Sequence, residues 1–139
     1  MRKVVTVGTF DILHPGHEEH LREARSLGDH LLTVVIPDYI VYKNKREFPY
    51  YDAETRAANL RNTQWTDEVS IDCLFFGYWS IIYFRPDVFV FGSDQRTEND
   101  KKTIEYLEQQ GINPEYYNSI SPKRYHSRVL RAKMKKTSA

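Results

Sequence analysis

One run of ten residues predicts much of this chain's architecture: Gly8-Thr9-Phe10-Asp11-Ile12-Leu13-His14-Pro15-Gly16-His17. It follows an apolar strand pattern and leads into a helix pattern. A strand, a glycine turn and a helix N-terminus form an anion-binding site, because unpaired backbone N–H groups and the helix dipole face one point. The imidazoles of His14 and His17 add polar groups there. The stretch therefore predicts a site that holds phosphates and stabilises extra negative charge on them.

Strand and helix patterns alternate along the rest of the chain. Strands are predicted at residues 3–7, 30–36, 68–76, 87–91 and 112–117. Helices are predicted at residues 16–27, 52–62, 78–84, 101–110 and 127–136, with a loop at 39–51. Such alternation is typical of parallel strands joined by right-handed crossovers. We therefore expect an α/β fold: a single Rossmann-like, three-layer domain over residues 1–139, with a mostly parallel five-stranded sheet and a basic tail from about residue 132.

The composition and charge of the chain limit the classes of protein to which it can belong. In 139 residues, 20 lysines and arginines nearly balance 19 acidic residues, so net charge indicates no particular partner. The single cysteine, Cys73, lies in an apolar run and is expected to be a buried thiol; it cannot form an internal disulfide, which fits a reducing compartment. No apolar stretch approaches the roughly 20 residues of a membrane span, and the start of the chain is not typical of a signal peptide. We expect a cytoplasmic protein with no membrane partner.

The motif Thr9-Phe10-Asp11 followed by His14-Pro15-Gly16-His17 resembles the signature of the HxGH nucleotidyltransferase superfamily, the cytidylyltransferase-like proteins. Within it, the chain looks most similar to the small bacterial glycerol-3-phosphate cytidylyltransferases. Archaeal FAD synthetases and the adenylyltransferase half of heptose-phosphate enzymes share the opening motif. The resemblance extends from Lys3 to about Asp94.

The resemblance implies an enzyme that transfers a nucleoside monophosphate from an NTP to a small phosphorylated molecule and releases pyrophosphate, with Mg²⁺ accompanying the NTP. CTP and glycerol 3-phosphate are the favoured substrates. The alternatives are an adenylyltransferase acting on FMN or a sugar phosphate, and a catalytically weak nucleotide-binding module. The sequence leaves the base, the acceptor and the oligomeric state open.

The resemblance also assigns roles within the turn. His14 and His17 would contact the triphosphate and stabilise the transition state, with Lys45 as a third catalytic residue. Other residues of the turn expected at the nucleotide are Gly8, Thr9, Phe10, Asp11 and Gly16. Asp11 is expected to shape the turn rather than act as a base. Zinc binding by the histidines is disfavoured because His14 and His20 point apart on a helix, so we expect no metal ligands among them and a solvated His20.

Further candidate ligands of the nucleotide follow the second and fourth predicted strands. Lys43, Lys45 and Arg56 match basic positions of the family; lysines are mobile point charges, and the arginine fork grips a pair of oxygens. A solvated basic loop is the alternative for the lysines. Gly92 and Asp94 match the family's Gly-x-Asp near base and ribose, although Asp94 could instead cap the next helix.

The C-terminal part departs from the family pattern. The family ends in an Ile-Ser-Thr-type run at a last helix, and here Pro122 interrupts the run that begins at Ser121. We therefore favour Ser127 and Arg128 as the phosphate-facing pair, with Ser121 as the alternative register. Seven basic residues between 123 and 136 raise the possibility of nucleic-acid binding, but the whole chain is nearly neutral, so no nucleic-acid partner is expected.

The aromatic run at residues 75–84 exceeds the needs of a small core. Part of it is expected either to form a dimer interface, as in the family, whose small members commonly dimerise, or to pack between the third and fourth strands. A homodimer is the favoured assembly.

Overall fold

The computed structural model describes residues 1–92 and 97–119. Its strands are β1 (Lys3–Gly8), β2 (His30–Val35), β3 (Glu68–Ile71), β4 (Val88–Phe91) and β5 (Glu115–Asn118). Its helices are α1 (Pro15–Ser26), α2 (Asp38–Lys45), α3 (Ala53–Arg61), α4 (Trp79–Phe84) and α5 (Glu98–Gln109). The strands form one sheet in the order β3-β2-β1-β4-β5, and each pairing is parallel. The predicted α/β, Rossmann-like fold is confirmed.

Two apolar layers cover the two faces of the sheet. On one face, Leu21 of α1 and Leu60 of α3 pack with Val4 of β1. On the other, Ile81 of α4 and Leu107 of α5 pack with the next residue of the same strand, Val5. The inner strands are buried on both faces, which is why they are nearly continuous apolar runs. The three-layer arrangement holds the carboxyl ends of the strands along a single edge.

The strand order locates the crevice of this sheet. From β1 the chain moves outward through β2 to β3, and then returns to place β4 on the other side of β1. In open α/β sheets, ligands bind outside the carboxyl ends of the strands at such a switch point. Here that point lies between β1 and β4, and α1 begins beside it at Pro15.

The prediction of a loop over residues 39–51 is wrong for its first part, because α2 occupies Asp38–Lys45. Pro37 precedes the helix, Asp38 provides the acidic first turn that the helix dipole favours, and Val41 is buried. Only one side chain of this helix is buried, so a periodic apolar pattern was nearly absent. The left-handed backbone of Arg46, with φ of 59°, ends it.

The third strand ends at Ile71 and not at residue 76 as predicted. The buried Asp72 carboxylate turns the chain, because it accepts hydrogen bonds from the Cys73 amide and from both the amide and hydroxyl of Ser80. A 3₁₀ turn, Leu74–Phe76, follows. Cys73 is buried as predicted, and burial raises the pKa of its thiol.

The starts of α5 and β5 also differ from their predicted positions: α5 begins at Glu98 rather than at residue 101. Thr97 is the N-cap of α5 and forms a capping box with Asp100, so the alternative that Asp94 caps this helix is wrong. The last strand begins at Glu115, after Pro114, rather than at residue 112. The predicted helix at 127–136 and the basic tail lie outside the described residues. Within the described ranges, no helix combines the length and the apolar character needed to cross a membrane.

Candidate active site

The turn after β1 is tightly built around Phe10. A Cβ on Gly8 would lie 2.8 Å from the Phe10 ring, so glycine is required for the ring to fold back against the strand. Phe10 has φ of 50° and is buried, and its ring centroid lies 5.5 Å from that of His17. A left-handed backbone is uncommon for a bulky residue and is typical of functional turns. Phe10 therefore packs beneath the turn.

His14 begins α1 as its N-cap. Its Nδ1 accepts a hydrogen bond of 3.1 Å from the backbone amide of Gly16, and the side chain is buried. Since Nδ1 is an acceptor, the neutral form of the ring carries its proton on Nε2. His14 can thus present an N–H donor to a phosphate oxygen while holding the helix start in place.

His17 stacks on His14, with ring centroids 3.8 Å apart and an interplanar angle of 23°. Burial, followed by the positive charges that His14, His20 and Lys45 would carry, lowers the pKa of His17 to about 3. Cationic rings at this separation would repel each other. His17 is therefore neutral at pH 7, and a bound polyanion would favour its protonation.

His20 is buried, so the prediction that it is solvated is wrong. Its Nε2 lies 3.0 Å from the hydroxyl of Thr6, and that hydroxyl donates to the Val90 carbonyl at 2.7 Å. The Thr6 oxygen must then accept from Nε2–H, which leaves Nδ1 deprotonated. Burial lowers the pKa of His20, and Glu23 partly opposes this. Its spacing of four residues from Ala24, which faces the sheet, could have revealed its burial.

Asp11 and Arg56 shape the turn from below. The buried Asp11 carboxylate accepts hydrogen bonds from the backbone amides of Tyr50 at 2.6 Å and Tyr51 at 2.9 Å. The guanidinium of Arg56, wholly buried, donates to three oxygens: the Thr9 carbonyl at 2.8 Å, the Tyr51 carbonyl at 3.0 Å and the Asp38 carboxylate at 2.7 Å. Arg56 thus clamps three segments together, and its direct contact with a nucleotide stays a prediction.

Lys45 lies at the turn, with its Nζ 3.5 Å from the Thr9 hydroxyl. Lys43 is exposed on the same helix. On the other side of β1, Gly92 follows β4, where a Cβ would lie 3.9 Å from the His20 ring. The structure thus brings the turn, both histidines and Lys45 together, with Gly92 across the crevice. Asp94, Ser127, Arg128 and the alternative Ser121 lie outside the described residues.

The sequence did not predict that Asp38 pairs with Arg56, or that the backbone amides of Tyr50 and Tyr51 bind Asp11. Asp38 carries a usable signal, because Pro37-Asp38 directly after a buried strand is typical of a helix start. The two tyrosines carry none, because it is their backbone amides that bind Asp11.

Comparison with known proteins found a matching family model and similar FAD synthases. A family model described as Cytidylyltransferase-like matches residues 5–137. The FAD synthase of Thermococcus onnurineus is 39% identical over 114 residues, covering 81% of this chain and 75% of that protein. The FAD synthase of Thermococcus kodakarensis is 40% identical over 114 residues, covering 81% and 76%.

A solved structure, the lipopolysaccharide core biosynthesis protein of Thermoplasma volcanium GSS1, superposes with a TM-score of 0.76 at 27% identity. The superposition covers 88% of this chain and 99% of that one. The family model matches nearly the whole chain, and two FAD synthases are similar over most of it. This chain therefore belongs to the cytidylyltransferase-like family and is a nucleotidyltransferase.

Proposed function

We propose that this enzyme transfers AMP from ATP to FMN, forming FAD and pyrophosphate. The observation that carries the reaction type is the stacked His14–His17 pair at the start of α1, with Lys45 beside it. The choice of substrates is supported by the two relatives named FAD synthase. These relatives favour the adenylyltransferase alternative of the sequence analysis over CTP and glycerol 3-phosphate.

In the proposed reaction, a phosphate oxygen of FMN attacks the α-phosphorus of ATP. The new P–O bond forms as the bond to the bridging oxygen of the β-phosphate breaks, and pyrophosphate leaves with that electron pair. The attacking oxygen is already ionised at pH 7, so no general base is required. Catalysis then consists of positioning and stabilisation of charge on the phosphate oxygens.

The residues of the turn suit that task. The Nε2–H of His14 is an oriented donor, and Lys45 supplies a positive charge. His17 is neutral before the substrate binds, and the approach of the triphosphate raises its tendency to take up a proton. The site can therefore gain positive charge at the moment when negative charge arrives.

We expect Mg²⁺ to enter with ATP and to neutralise charge on its phosphates. Among residues 1–92 and 97–119, no group of three histidine, cysteine, aspartate or glutamate side chains is arranged to hold a metal ion. In this proposal, phosphate oxygens are the main ligands of Mg²⁺, while His14 supplies an N–H donor and Lys45 a positive charge.

The homodimer predicted from the sequence is also part of the proposal. Four rings of the aromatic run point into solvent: Phe75, Phe76, Trp79 and Tyr83 are 81%, 52%, 61% and 82% exposed. We call these four residues the outer aromatic surface. Ile81 and Tyr78 of the same run are buried, so only part of it packs in the core. The rings form two neighbouring pairs, with centroids 6.3 Å apart for Phe75 and Phe76 and 6.4 Å apart for Trp79 and Tyr83. Exposed apolar surface of this kind favours contact with a second copy.

The test is pyrophosphate release in the presence of Mg²⁺, with ATP, CTP, GTP and UTP each paired with FMN, glycerol 3-phosphate, phosphoethanolamine and sugar phosphates. We expect the ATP and FMN pair to be productive and FAD to be recovered by chromatography. Turnover only with CTP and glycerol 3-phosphate would replace our proposal by the cytidylyltransferase alternative. Nucleotide binding without turnover in any pair would instead identify a binding module.

A further inference from the structure

A second group of exposed rings lies beside the phosphate turn. Tyr42 of α2 stacks on Phe48, with ring centroids 4.5 Å apart and an interplanar angle of 19°. Both rings remain open to solvent, with 38% and 54% of their surface exposed, and Tyr50, two residues after Phe48 in the chain, is exposed as well. We call Tyr42, Phe48 and Tyr50 the aromatic platform. None of the three belongs to either core cluster, so core packing does not explain them.

The platform is tied to the catalytic turn at both ends. At one end, the amide of Tyr50 donates to the Asp11 carboxylate at 2.6 Å. At the other, Tyr42 lies one helical turn from Lys45, whose Nζ is 3.5 Å from the Thr9 hydroxyl. The platform is thus held at a defined position relative to the phosphate site.

The platform also lies on one particular flank of that site. It follows β2, whereas Gly92 follows β4, and the strand order places β2 and β4 on opposite sides of β1. The family resemblance implies that the base of the nucleotide lies near Gly92. The attacking and leaving oxygens must lie roughly in line at the α-phosphate, so the two substrates need separate approaches to the turn. The β2 flank is therefore available to the acceptor.

We infer that the aromatic platform binds the flavin ring of FMN by stacking, while the FMN phosphate lies beside Lys45 and Thr9. This inference rests on the proposed function. The chemistry is complementary at both ends: open aromatic rings match a flat aromatic ring system, and a lysine and a hydroxyl match a phosphate. A flexible ribityl chain links the two parts of FMN. Glycerol 3-phosphate has no ring, so the platform selects an aromatic acceptor.

The experiment uses flavin fluorescence, which is quenched when the ring stacks on an aromatic side chain. FMN is titrated with the wild-type protein, Tyr42→Leu, Phe48→Leu and the double variant. Tyr117→Leu is the matched control, because it removes a ring that is 39% exposed, close to the 38% of Tyr42, from β5 on the other side of β1, and leaves an apolar side chain. We expect saturable quenching by wild type and control. Loss of a stacking ring weakens binding about tenfold, so the Kd for FMN should rise by that factor in each platform variant.

The ATP affinity should be the same in all five proteins. The inference is overturned if wild type does not quench FMN, if the platform variants keep the wild-type Kd, or if ATP binding weakens in place of FMN binding. The last result would assign the platform to adenine. FAD formation, measured separately, distinguishes the two proposals: quenching that depends on the platform without FAD formation would refute the reaction alone, whereas FAD formation with an unchanged KM for FMN in the variants would refute the platform alone.

Discussion

At the scale of single residues, the site depends on imidazoles that the fold keeps uncharged. His17 and His20 lie on the sheet side of α1, and burial is the largest cause of the lowered pKa of each. Because these imidazoles stay neutral in the folded protein, the free energy of unfolding falls at low pH. At neutral pH, they can take up a proton when an anion binds. Both consequences can be measured.

Stability should fall as pH falls below about 6.5. Between the ordinary pKa of 6.5 and the folded value of about 3, the unfolded chain binds a proton at His17 that the folded protein does not. One such proton changes the free energy of unfolding by about 1.4 kcal/mol per pH unit, and His20 acts in the same direction. Urea unfolding at pH 7.5 and 5.5 measures the slope. His17→Gln should flatten it, and an identical slope in the variant would contradict this account.

His17→Ala should lower kcat strongly and leave the fold intact. Loss of one oriented donor to a developing oxyanion commonly lowers kcat by about 10²–10³-fold. Pyrophosphate release measures the effect, and circular dichroism with thermal unfolding is the control. An active variant would exclude His17 from the mechanism, whereas an unfolded one would make its role structural.

At the scale of elements, Arg56 connects parts of the chain that share no secondary structure. It sits on α3 and binds the carboxylate at the start of α2, the carbonyl of Thr9 after β1 and the carbonyl of Tyr51. Nη2 of Arg56 lies 2.7 Å from the Asp38 carboxylate, and the arginine side chain is wholly buried. The clamp positions both the catalytic turn and the helix that bears Lys45.

Arg56→Met should lower the free energy of unfolding by about 3–5 kcal/mol, because the Asp38 carboxylate and two carbonyls lose their hydrogen-bond donor. Denaturant unfolding measures the change. Arg61→Met is the control, since this exposed arginine lies on the same helix and donates to the Val69 carbonyl; it should cost no more than about 0.5–1.5 kcal/mol. Equal losses in the two variants would show that the clamp adds nothing beyond a single surface contact.

At the scale of the whole molecule, the outer aromatic surface leads to a prediction about assembly. Phe75→Glu combined with Trp79→Glu introduces charges among exposed rings and should convert a homodimer into a monomer without changing thermal stability of the isolated subunit. Sedimentation equilibrium measures the mass of both proteins. A wild-type monomer at micromolar concentration, or a variant that still dimerises, would refute this use of the surface.

Local patterns predicted the features that neighbouring residues produce. The apolar strands, the glycine turn and a helix start near Gly16 were predicted from local spacing, and Asp52 caps α3 as expected. Helix α2 was missed because its single buried residue, Val41, leaves no periodic signal. The predicted third strand is too long because its end depends on the hydrogen bond between Asp72 and Ser80, eight residues further along the chain.

Strand and helix periodicities and turn residues act over a few positions, so they were enough to predict the parallel α/β sheet and the candidate phosphate site at its edge. Three features depend on the folded chain: His20 is buried against Thr6, Arg56 binds both Thr9 and Asp38, and Asp11 holds the segment bearing Tyr50. Each of these contacts joins residues that are 14 to 47 positions apart. Contacts at such separation form only when the sheet brings distant strand ends to one edge.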